Sequence, residues 1–380
     1  MTKSDFGAKV LKIHKNLKGK IEVSLKAPIA TPEDLKIFYT PGVGAVASHL
    51  AKHPEDAGEM TIKNNTILIV SDGSAVLGLG NIGPEGALPV MEGKAMIFKQ
   101  FAGINAFPVV LATQDPDEIV KTVRYLSPAF GGINLEDIAA PRCFYIEKQL
   151  IDSLAIPVMH DDQHGTAIVV LAGLINAFKA SFKKIQKSKI VILGAGAAGA
   201  AVAKMVKKAG VKEILVIDRK GIIAPDRKDL NFYKKELAEI TNPKNLKGEL
   251  KDALQNADAV IGVSGPGLIK SGHIRLMADK PIIFALANPV PEIMPQEARR
   301  GGAFIIATGR SDFPNQINNA IAFPGVFRGA LDNKVKKITD QMKIKAAYAI
   351  ASMVKNPTPE NIIPSIFNKK LVATVAKSIK

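Results

Sequence analysis

The fold of this chain is decided by the stretch KIVILGAGAAGAAVAK, residues 189–204. An apolar run at residues 189–193 predicts a buried strand, the glycine-rich hexapeptide 194–199 predicts a tight turn, and residues 200–209 predict a helix. A second predicted strand ends at Asp218. Strand, glycine turn, helix and strand in this order predict a βαβ unit that binds the pyrophosphate of a dinucleotide at the helix N-terminus.

Each glycine of this loop has a separate task. Gly194 permits the tight turn, Gly196 lets the backbone approach a pyrophosphate, and Gly199 allows the helix to pack closely on the strand. A tight turn without a ligand is the alternative, and the flanking strands and helix make it much the weaker one. We therefore predict these cofactor-binding residues in the loop: Gly194, Ala195, Gly196, Ala197, Ala198 and Gly199.

The choice between NAD and NADP depends on the end of the second strand. Asp218 can accept hydrogen bonds from both ribose hydroxyls, and its charge would repel the 2′-phosphate of NADP. Arg219 and Lys220 follow directly and could neutralise such a phosphate, although an exposed turn explains them equally well. The sequence predicts NAD as the preferred cofactor, with NADP as a slower alternative.

The rest of the chain alternates short apolar runs with amphipathic stretches, the pattern of parallel α/β architecture. We predict an N-terminal α/β domain over residues 1–160, and a Rossmann domain with C-terminal helices over residues 161–380. Predicted strands cover residues 66–70, 107–112, 156–159, 189–193, 213–217, 259–263, 282–287 and 304–307. Predicted helices cover residues 116–125, 142–154, 166–180 and 200–209, and residues 183–189 are expected to form an exposed helix end and turn.

The length of 380 residues predicts about two domains, and 47% hydrophobic residues with only 6% aromatic is an ordinary globular balance. The single cysteine, Cys143, cannot form an intramolecular disulfide and suits a reducing compartment. The N-terminal residues lack the apolar core of a signal peptide, and no run of 18 uncharged apolar residues occurs. We expect a soluble cytoplasmic protein with no membrane partner.

The formal net charge is +16, which raises the question of nucleic-acid binding. The excess is mostly lysine dispersed from Lys3 to Lys380, without aromatic interleaving or a known reader motif. A solvated basic surface is favoured, and its field would attract a small dianionic substrate. A basic nucleic-acid-binding protein is the alternative, and a salt-dependent gel shift would identify it.

Acidic pairs follow two of the apolar segments. Glu136 and Asp137 come after residues 131–135, and Asp161 and Asp162 come after residues 156–160. Carboxylates at strand ends form an all-oxygen site that suits Mg²⁺ or Mn²⁺ better than zinc. Close to a redox cofactor, such a cation would act as a Lewis acid, so the sequence predicts metal-assisted hydride chemistry.

Separate motifs in a fixed order give the chain a resemblance to a known family. They are YTPGVG at 39–44, SDGSAVLGLG at 71–80, EGK at 92–94, LED at 135–137, HDDQHGT at 160–166, the loop at 194–199, ANP at 287–289, NNA at 318–320 and FPG at 323–325. Over residues 12–328 the chain resembles the malic enzymes in their short bacterial and archaeal form. The resemblance implies oxidative decarboxylation of L-malate to pyruvate and CO₂, with a nicotinamide cofactor and Mg²⁺ or Mn²⁺, in a homodimer or larger homo-oligomer.

The resemblance also implies roles for individual residues. Lys94 matches the base that takes the hydroxyl proton of the substrate. Tyr39 matches the acid that protonates C3, and the alternative for Tyr39 is a packed aromatic side chain before a proline. A lysine base needs its pKa lowered by desolvation or nearby positive charge, and a bound cation would contribute. The matching metal ligands are Glu136, Asp137 and Asp162. For Asp161 we expect a helix N-cap or an indirect role, and for His160 and His164 a packing or indirect role.

Substrate recognition is where the chain departs from longer relatives. In the longer relatives, an arginine lies two residues after the Asp-Gly pair of the motif at 71–80, whereas this chain has Ser74-Ala75 after that pair. Ser74, backbone amides, or Asn288 and Asn319 must then hold the carboxylates, with Asn288 and Asn318 also near the nicotinamide. A related 2-hydroxy acid therefore remains open as the substrate. The enzymatic alternative is an NAD(P)-dependent dehydrogenase of a hydroxy or amino acid that needs no metal and releases no CO₂.

Overall fold

A computed structural model describes residues 3–76 and 78–380 of the chain. Met1, Thr2 and Leu77, the last within the motif at 71–80, lie outside the described residues. The N-terminal region is helical and its side chains are mostly exposed, with no buried residue in the second, third or fourth helix. Its helices are α1 (Lys3–Leu17), α2 (Pro32–Phe38), α3 (Val43–Lys52) and α4 (Ala57–Met60). Short 3₁₀ helices lie at Pro54–Asp56 and Ile62–Asn65.

A parallel four-stranded sheet follows, with the strand order β2-β1-β3-β4. Its elements are β1 (Thr66–Ser71), α5 (Gly83–Ala102), β2 (Asn105–Val110), α6 (Pro116–Leu126), a 3₁₀ turn (Ser127–Ala129), β3 (Gly132–Leu135), α7 (Arg142–Ser153) and β4 (Val158–His160). Strand β1 is buried throughout because Ile67 and Ile69 pack into one core, and Leu68 and Val70 pack into another on the opposite face. Helices on both faces therefore explain its unbroken apolar sequence.

The second sheet has six strands in the order β10-β9-β8-β5-β6-β7. All its pairs are parallel except β6 with β7. Its elements are β5 (Lys189–Leu193), α9 (Ala197–Lys208), β6 (Glu213–Asp218), β7 (Gly221–Ile222), α10 (Phe232–Thr241), α11 (Leu250–Leu254), β8 (Ala259–Gly262), α12 (Ser271–Ile274), β9 (Ile282–Ala285), α13 (Pro295–Arg300) and β10 (Ile305–Thr308). This arrangement places the glycine loop at the carboxyl edge of the central strand β5, the position of a dinucleotide site.

A buried helix, α8 (Asp161–Ala180), begins directly after β4 and packs against α9 and a C-terminal helix. The remaining elements are 3₁₀ turns at Ile185–Lys187 and Asn319–Ile321, and helices α14 (Phe323–Asp332), α15 (Asp340–Ser352) and α16 (Leu371–Ala376). The buried amide of Asn176 on α8 donates to the carbonyls of Ala351 and Ile362, at 2.9 and 3.0 Å. These bonds fix the C-terminal segment to the central helix.

The predicted fold class, two α/β units with a parallel Rossmann sheet, is confirmed. Several predicted boundaries are wrong by a few residues. The second strand lies at Asn105–Val110 rather than 107–112, because Asn105 pairs with the first residue of β1. The central helix begins at Asp161 rather than at residue 166, and residues 183–189 contain a 3₁₀ turn. The domain division at residue 160 stays a prediction. Within the described residues, no helix is long and apolar enough to cross a bilayer.

Candidate active site

A cleft of about 840 Å³ collects most of the predicted site residues. Its walls come from the carboxyl ends of the first sheet, the start of α8, the middle of α5 and the loops after β5, β9 and β10. The predicted residues among its lining are Lys94, Glu136, Asp137, Asp162, Gly196, Ala197, Ala198, Asn288, Asn318 and Asn319. Residues far apart in the sequence therefore share one cleft.

Three carboxylates form an oxygen-rich cluster in this cleft. Glu136, Asp137 and Asp162 each offer an oxygen, and these atoms all lie within 4.8 Å of one another. The cluster is held together by the backbone N–H of Asp137, which donates to Asp162 Oδ2 at 2.7 Å, and by Asn134, whose amide donates to Glu136 Oε2 at 2.9 Å. Hard anionic oxygens at this spacing fit Mg²⁺ or Mn²⁺, as the sequence predicted.

Lys94 lies beside this cluster and is only 6% exposed. Its ammonium pairs with Glu136 Oε2 at 2.5 Å and with the carboxylate of Asp161, and it lies 4.2 Å from the ring centre of Phe323. Burial alone would lower the pKa of Lys94, but the carboxylates of Asp161, Glu136 and Asp162 outweigh it and raise that pKa above its ordinary value. These side chains alone thus act against the predicted lowering. A divalent cation among the carboxylates would offset their effect.

Asp161 is fully buried and is one of the two ion-pair partners of Lys94. It lies in the first turn of α8, so the expected N-cap role is wrong, because His160 occupies that position. Gly165 leaves room for the carboxylate, since a Cβ there would lie 1.8 Å from Asp161 Oδ1. Glu147 accepts hydrogen bonds from the backbone N–H of His160 at 2.7 Å and from the His164 ring at 3.0 Å. The ring of His164 and the backbone of His160 thus contact Glu147, and the buried His160 ring has its Nδ1 3.8 Å from Asp162 Oδ2.

The glycine loop opens onto a second pocket of about 620 Å³, which shares Ala140, Gly196, Val263 and Ser264 with the cleft. Ala195 lines this pocket, together with Gly194 and Asp218. Gly194 has φ +121°, and a Cβ there would lie 2.6 Å from the carbonyl oxygen of Val263. The continuous pockets can hold the adenosine half of a dinucleotide on one side and its reactive half near Lys94 on the other.

The carboxylate of Asp218 is surrounded by cations. Arg227 Nη1 donates to it at 2.9 Å and Lys234 Nζ at 2.6 Å. Burial alone would raise the pKa of Asp218, but these hydrogen bonds lower it. Arg219 and Lys220, which the sequence offers as partners of a 2′-phosphate, also line the second pocket, and the ammonium of Lys220 is 3.2 Å from Asp229. Sequence reasoning missed Arg227 and Lys234 because only the folding of the loop after β7 brings them back to the strand end.

Ser74 and Tyr39 do not line the cleft of the described chain. The Ser74 hydroxyl is 2.5 Å from Asp72 Oδ1 and accepts from the backbone N–H of Ala139 at 2.9 Å, so it joins two loops instead of facing a substrate. Tyr39 ends α2 and is 64% exposed. Within one chain, the predicted acid is therefore apart from the predicted base, and the predicted Ser74 contact with substrate has no support.

Comparison with known proteins identifies the family. The family described as "Malic enzyme, N-terminal domain" matches residues 18–151, and "Malic enzyme, NAD binding domain" matches residues 163–379. The chain belongs to the malic enzyme family. This assignment agrees with the cleft, in which the carboxylate cluster and the dinucleotide loop meet.

Similar family members cover most of the chain. The NAD-dependent malic enzyme of Geobacillus stearothermophilus is 54% identical over 95% of this chain and 76% of that protein. The bifunctional malic/malolactic enzyme of Bacillus subtilis (strain 168) is 50% identical over 97% of this chain and 91% of that protein. The crystal structure of the NAD-dependent malic enzyme of Thermotoga maritima has a TM-score of 0.94 and 51% identity, covering 97% of this chain and 98% of that one.

Proposed function

We propose that this protein is a malic enzyme that uses Mg²⁺ or Mn²⁺ to oxidise and decarboxylate L-malate to pyruvate and CO₂, with NAD as the preferred acceptor and NADP as a slower one. The observation that carries the proposal is the meeting of three carboxylates, a buried lysine and a dinucleotide loop in one cleft. Hydride transfer needs the last two of these features, and decarboxylation needs the first.

The residues of the cleft divide the work. Glu136, Asp137 and Asp162 would hold the divalent cation, which supplies an electron sink at the C2 oxygen when bound. Lys94, in its neutral form, accepts the C2 hydroxyl proton while hydride leaves C2 for the nicotinamide. Asp161 holds the Lys94 ammonium in place.

Amide side chains at the other wall orient the substrate and cofactor. Asn288 and Asn319 would hydrogen-bond the substrate carboxylates, and Asn288 and Asn318 the carboxamide of the nicotinamide. Gly78 allows this wall to form, because a Cβ there would lie 1.7 Å from the carbonyl oxygen of Asn288. Orientation of this kind lowers the barrier to hydride transfer by fixing the reacting atoms near one another.

The enzyme acts as a homodimer or larger homo-oligomer in which Tyr39 of one subunit completes the cleft of another. Two features support this proposal. Tyr39 is exposed and lies away from the cleft of its own chain, and the N-terminal region around it exposes many large apolar side chains. They include Leu11, Leu17, Ile21, Val23, Leu25, Ile29, Leu35, Ile37, Phe38, Val43 and Val46. Exposed apolar surface of this extent is typical of an interface.

Mixing two impaired variants tests the shared cleft. Tyr39→Phe and Asp162→Asn subunits, mixed under exchange conditions, form hybrids in which one cleft has both an intact Tyr39 and an intact Asp162. With random pairing about half of the dimers are hybrids, so we expect recovery of roughly a quarter of wild-type activity. No recovery despite proven exchange, or a monomer by sedimentation, would contradict the shared cleft.

An assay of the purified protein tests the activity itself. Reduction of NAD with L-malate should require Mn²⁺, stop with a chelator and return when Mn²⁺ is added back, with NADP reduced more slowly. Absence of metal-dependent reduction of either cofactor would remove the proposal.

We also propose the cytoplasm as the compartment of this protein. In that compartment the buried Cys143 thiol, whose pKa is raised by burial, remains reduced.

A further inference from the structure

The two carboxylates of the proposed substrate need a positively charged partner, and the active-site residues discussed above do not provide one. A dicarboxylate brings two negative charges to a site that already contains the carboxylates of Glu136, Asp137 and Asp162. A divalent cation there would neutralise only part of the substrate's negative charge. Ser74 faces away, and the ammonium of Lys94 is already paired with Glu136 and Asp161. Asparagine side chains supply hydrogen bonds but no charge.

Lys20 is the second cation that lines the cleft. It belongs to the segment after α1, and it is partly buried although the following residues 21–30 are exposed. Its Nζ donates to the carbonyl oxygen of Pro89 on α5 at 2.6 Å. A Cβ built on Gly93 would lie 3.6 Å from that Nζ. The ammonium therefore lies against the turn of α5 that leads to Lys94.

The ammonium of Lys20 also has unused capacity. Of its three N–H donors, one is used by Pro89. Among the residues that the structure describes, no carboxylate oxygen lies within 4.0 Å of the Lys20 ammonium. Lys94, in contrast, forms ion pairs with Glu136 and Asp161. A partly buried ammonium that is open to the cleft and free of a protein carboxylate is suited to bind a carboxylate from a ligand.

We propose that Lys20 binds a carboxylate of the substrate, the task that an arginine elsewhere in the sequence performs in the longer relatives. The inference rests on the proposed function. It explains how a cleft without that arginine recognises a small dicarboxylate, because the N-terminal segment brings a cation to the same cleft. Lys20 acts in binding and takes no part in proton transfer.

Substitution of Lys20 tests this assignment. Lys20→Met keeps the aliphatic stem and removes the charge, so KM for L-malate should rise roughly tenfold to a hundredfold while kcat changes much less. Lys20→Arg should retain most of the affinity. Mn²⁺ binding without substrate and NAD binding should stay unchanged, because the ammonium of Lys20 bonds to the Pro89 carbonyl and not to the carboxylate cluster or the glycine loop. Sedimentation should also stay unchanged, because the aliphatic stem is kept. Lys26→Met, at an exposed position of the same segment, is the matched control.

The reverse reaction, reductive carboxylation of pyruvate with NADH and CO₂, shows which carboxylate Lys20 binds. A rise in KM for both malate and pyruvate in Lys20→Met places Lys20 at the carboxylate that is kept, and a rise for malate alone places it at the carboxylate lost as CO₂. An unchanged KM for malate would overturn the proposal. Joint loss of kcat, Mn²⁺ binding and assembly, without rescue by Lys20→Arg, would make Lys20 a structural tether and overturn it as well. Failure of the proposed function would instead appear as inactivity of the wild-type protein.

Discussion

At the residue scale, Asp162 connects two elements of the proposed metal site, because it lies in the first turn of α8 and accepts a hydrogen bond from the backbone of Asp137. Asp162→Asn keeps the volume and an acceptor oxygen but removes a charge. We expect Mn²⁺ affinity to fall at least about tenfold, ~1.4 kcal/mol, and turnover to fall with it, while NAD binding persists. Mn²⁺ titration and assays at limiting metal measure this, with the exposed Asp152→Asn as control. Full activity at limiting Mn²⁺ would disprove the ligand assignment.

Lys94 and Tyr39 should affect different steps. Lys94→Ala removes the proposed base, so hydride transfer should slow by ~10²–10⁴-fold, and added small amines should restore part of it. Tyr39→Phe should leave hydride transfer largely intact and slow the protonation that completes pyruvate. Single-turnover measurement of cofactor reduction separates the two steps. Near-normal malate oxidation by Lys94→Ala would show that another group is the base.

Asp218 should control the choice of cofactor together with its cationic neighbours. Asp218→Ser removes the charge that repels a 2′-phosphate and frees Arg227 and Lys234 to bind it. The ratio of kcat/KM values should shift toward NADP by about tenfold, ~1.4 kcal/mol. Asp226→Ser, which removes an exposed carboxylate paired with Lys247, is the control. A wild-type preference for NADP that the substitution leaves unchanged would show that Asp218 does not contact the ribose.

At the element scale, Glu147 on α7 fixes the start of α8, which carries Asp161 and Asp162. Burial alone would raise the pKa of Glu147, but His164, Lys343 and His160 lower it to about 2. A lowered carboxyl pKa stabilises the fold above the unfolded value near 4.5, and that stabilisation is lost as the pH falls toward 2.

Glu147→Gln should therefore lower the free energy of unfolding at pH 7 by about 3 kcal/mol. The difference from wild type should shrink between about pH 5 and pH 2, where the wild-type carboxylate becomes protonated. Urea unfolding at a series of pH values measures both effects. A difference that stays constant over this range would show that the charge of Glu147 is not what stabilises the start of α8.

Local patterns predicted the elements well where a short stretch of sequence determines the structure. The strand, glycine turn and helix at residues 189–208 are such a case, since Gly199 packs its helix against the carbonyl of Gly194 within the same turn, where a Cβ would lie 1.9 Å from that oxygen. The start of α8 was missed because it depends on Glu147, which comes from a different helix. Strand β7 is only two residues long and antiparallel, so it leaves no periodic pattern to detect.

At the scale of the whole molecule, the three predicted carboxylates come together because they follow parallel strands whose carboxyl ends meet. Sequence reasoning missed Lys20, Arg227 and Lys234, because each is brought to the cleft or to Asp218 by the folding of the chain and leaves no local signal. The proposed role of Tyr39 depends on assembly, which the pattern of one chain does not encode. The sequence thus predicts the carboxylates that follow the strands better than the cations that loops and helices bring to them.

Malate labelled with ¹³C at C4 tests the central claim most directly, because it follows oxidation and decarboxylation in one reaction. With NAD and Mn²⁺, we predict that NADH and labelled CO₂ appear in equal amounts, that a chelator stops both, and that Asp162→Asn reduces both together. NADH without labelled CO₂ would indicate a dehydrogenase that does not decarboxylate. Labelled CO₂ without NADH would indicate decarboxylation without net oxidation, and either result would contradict the proposed reaction.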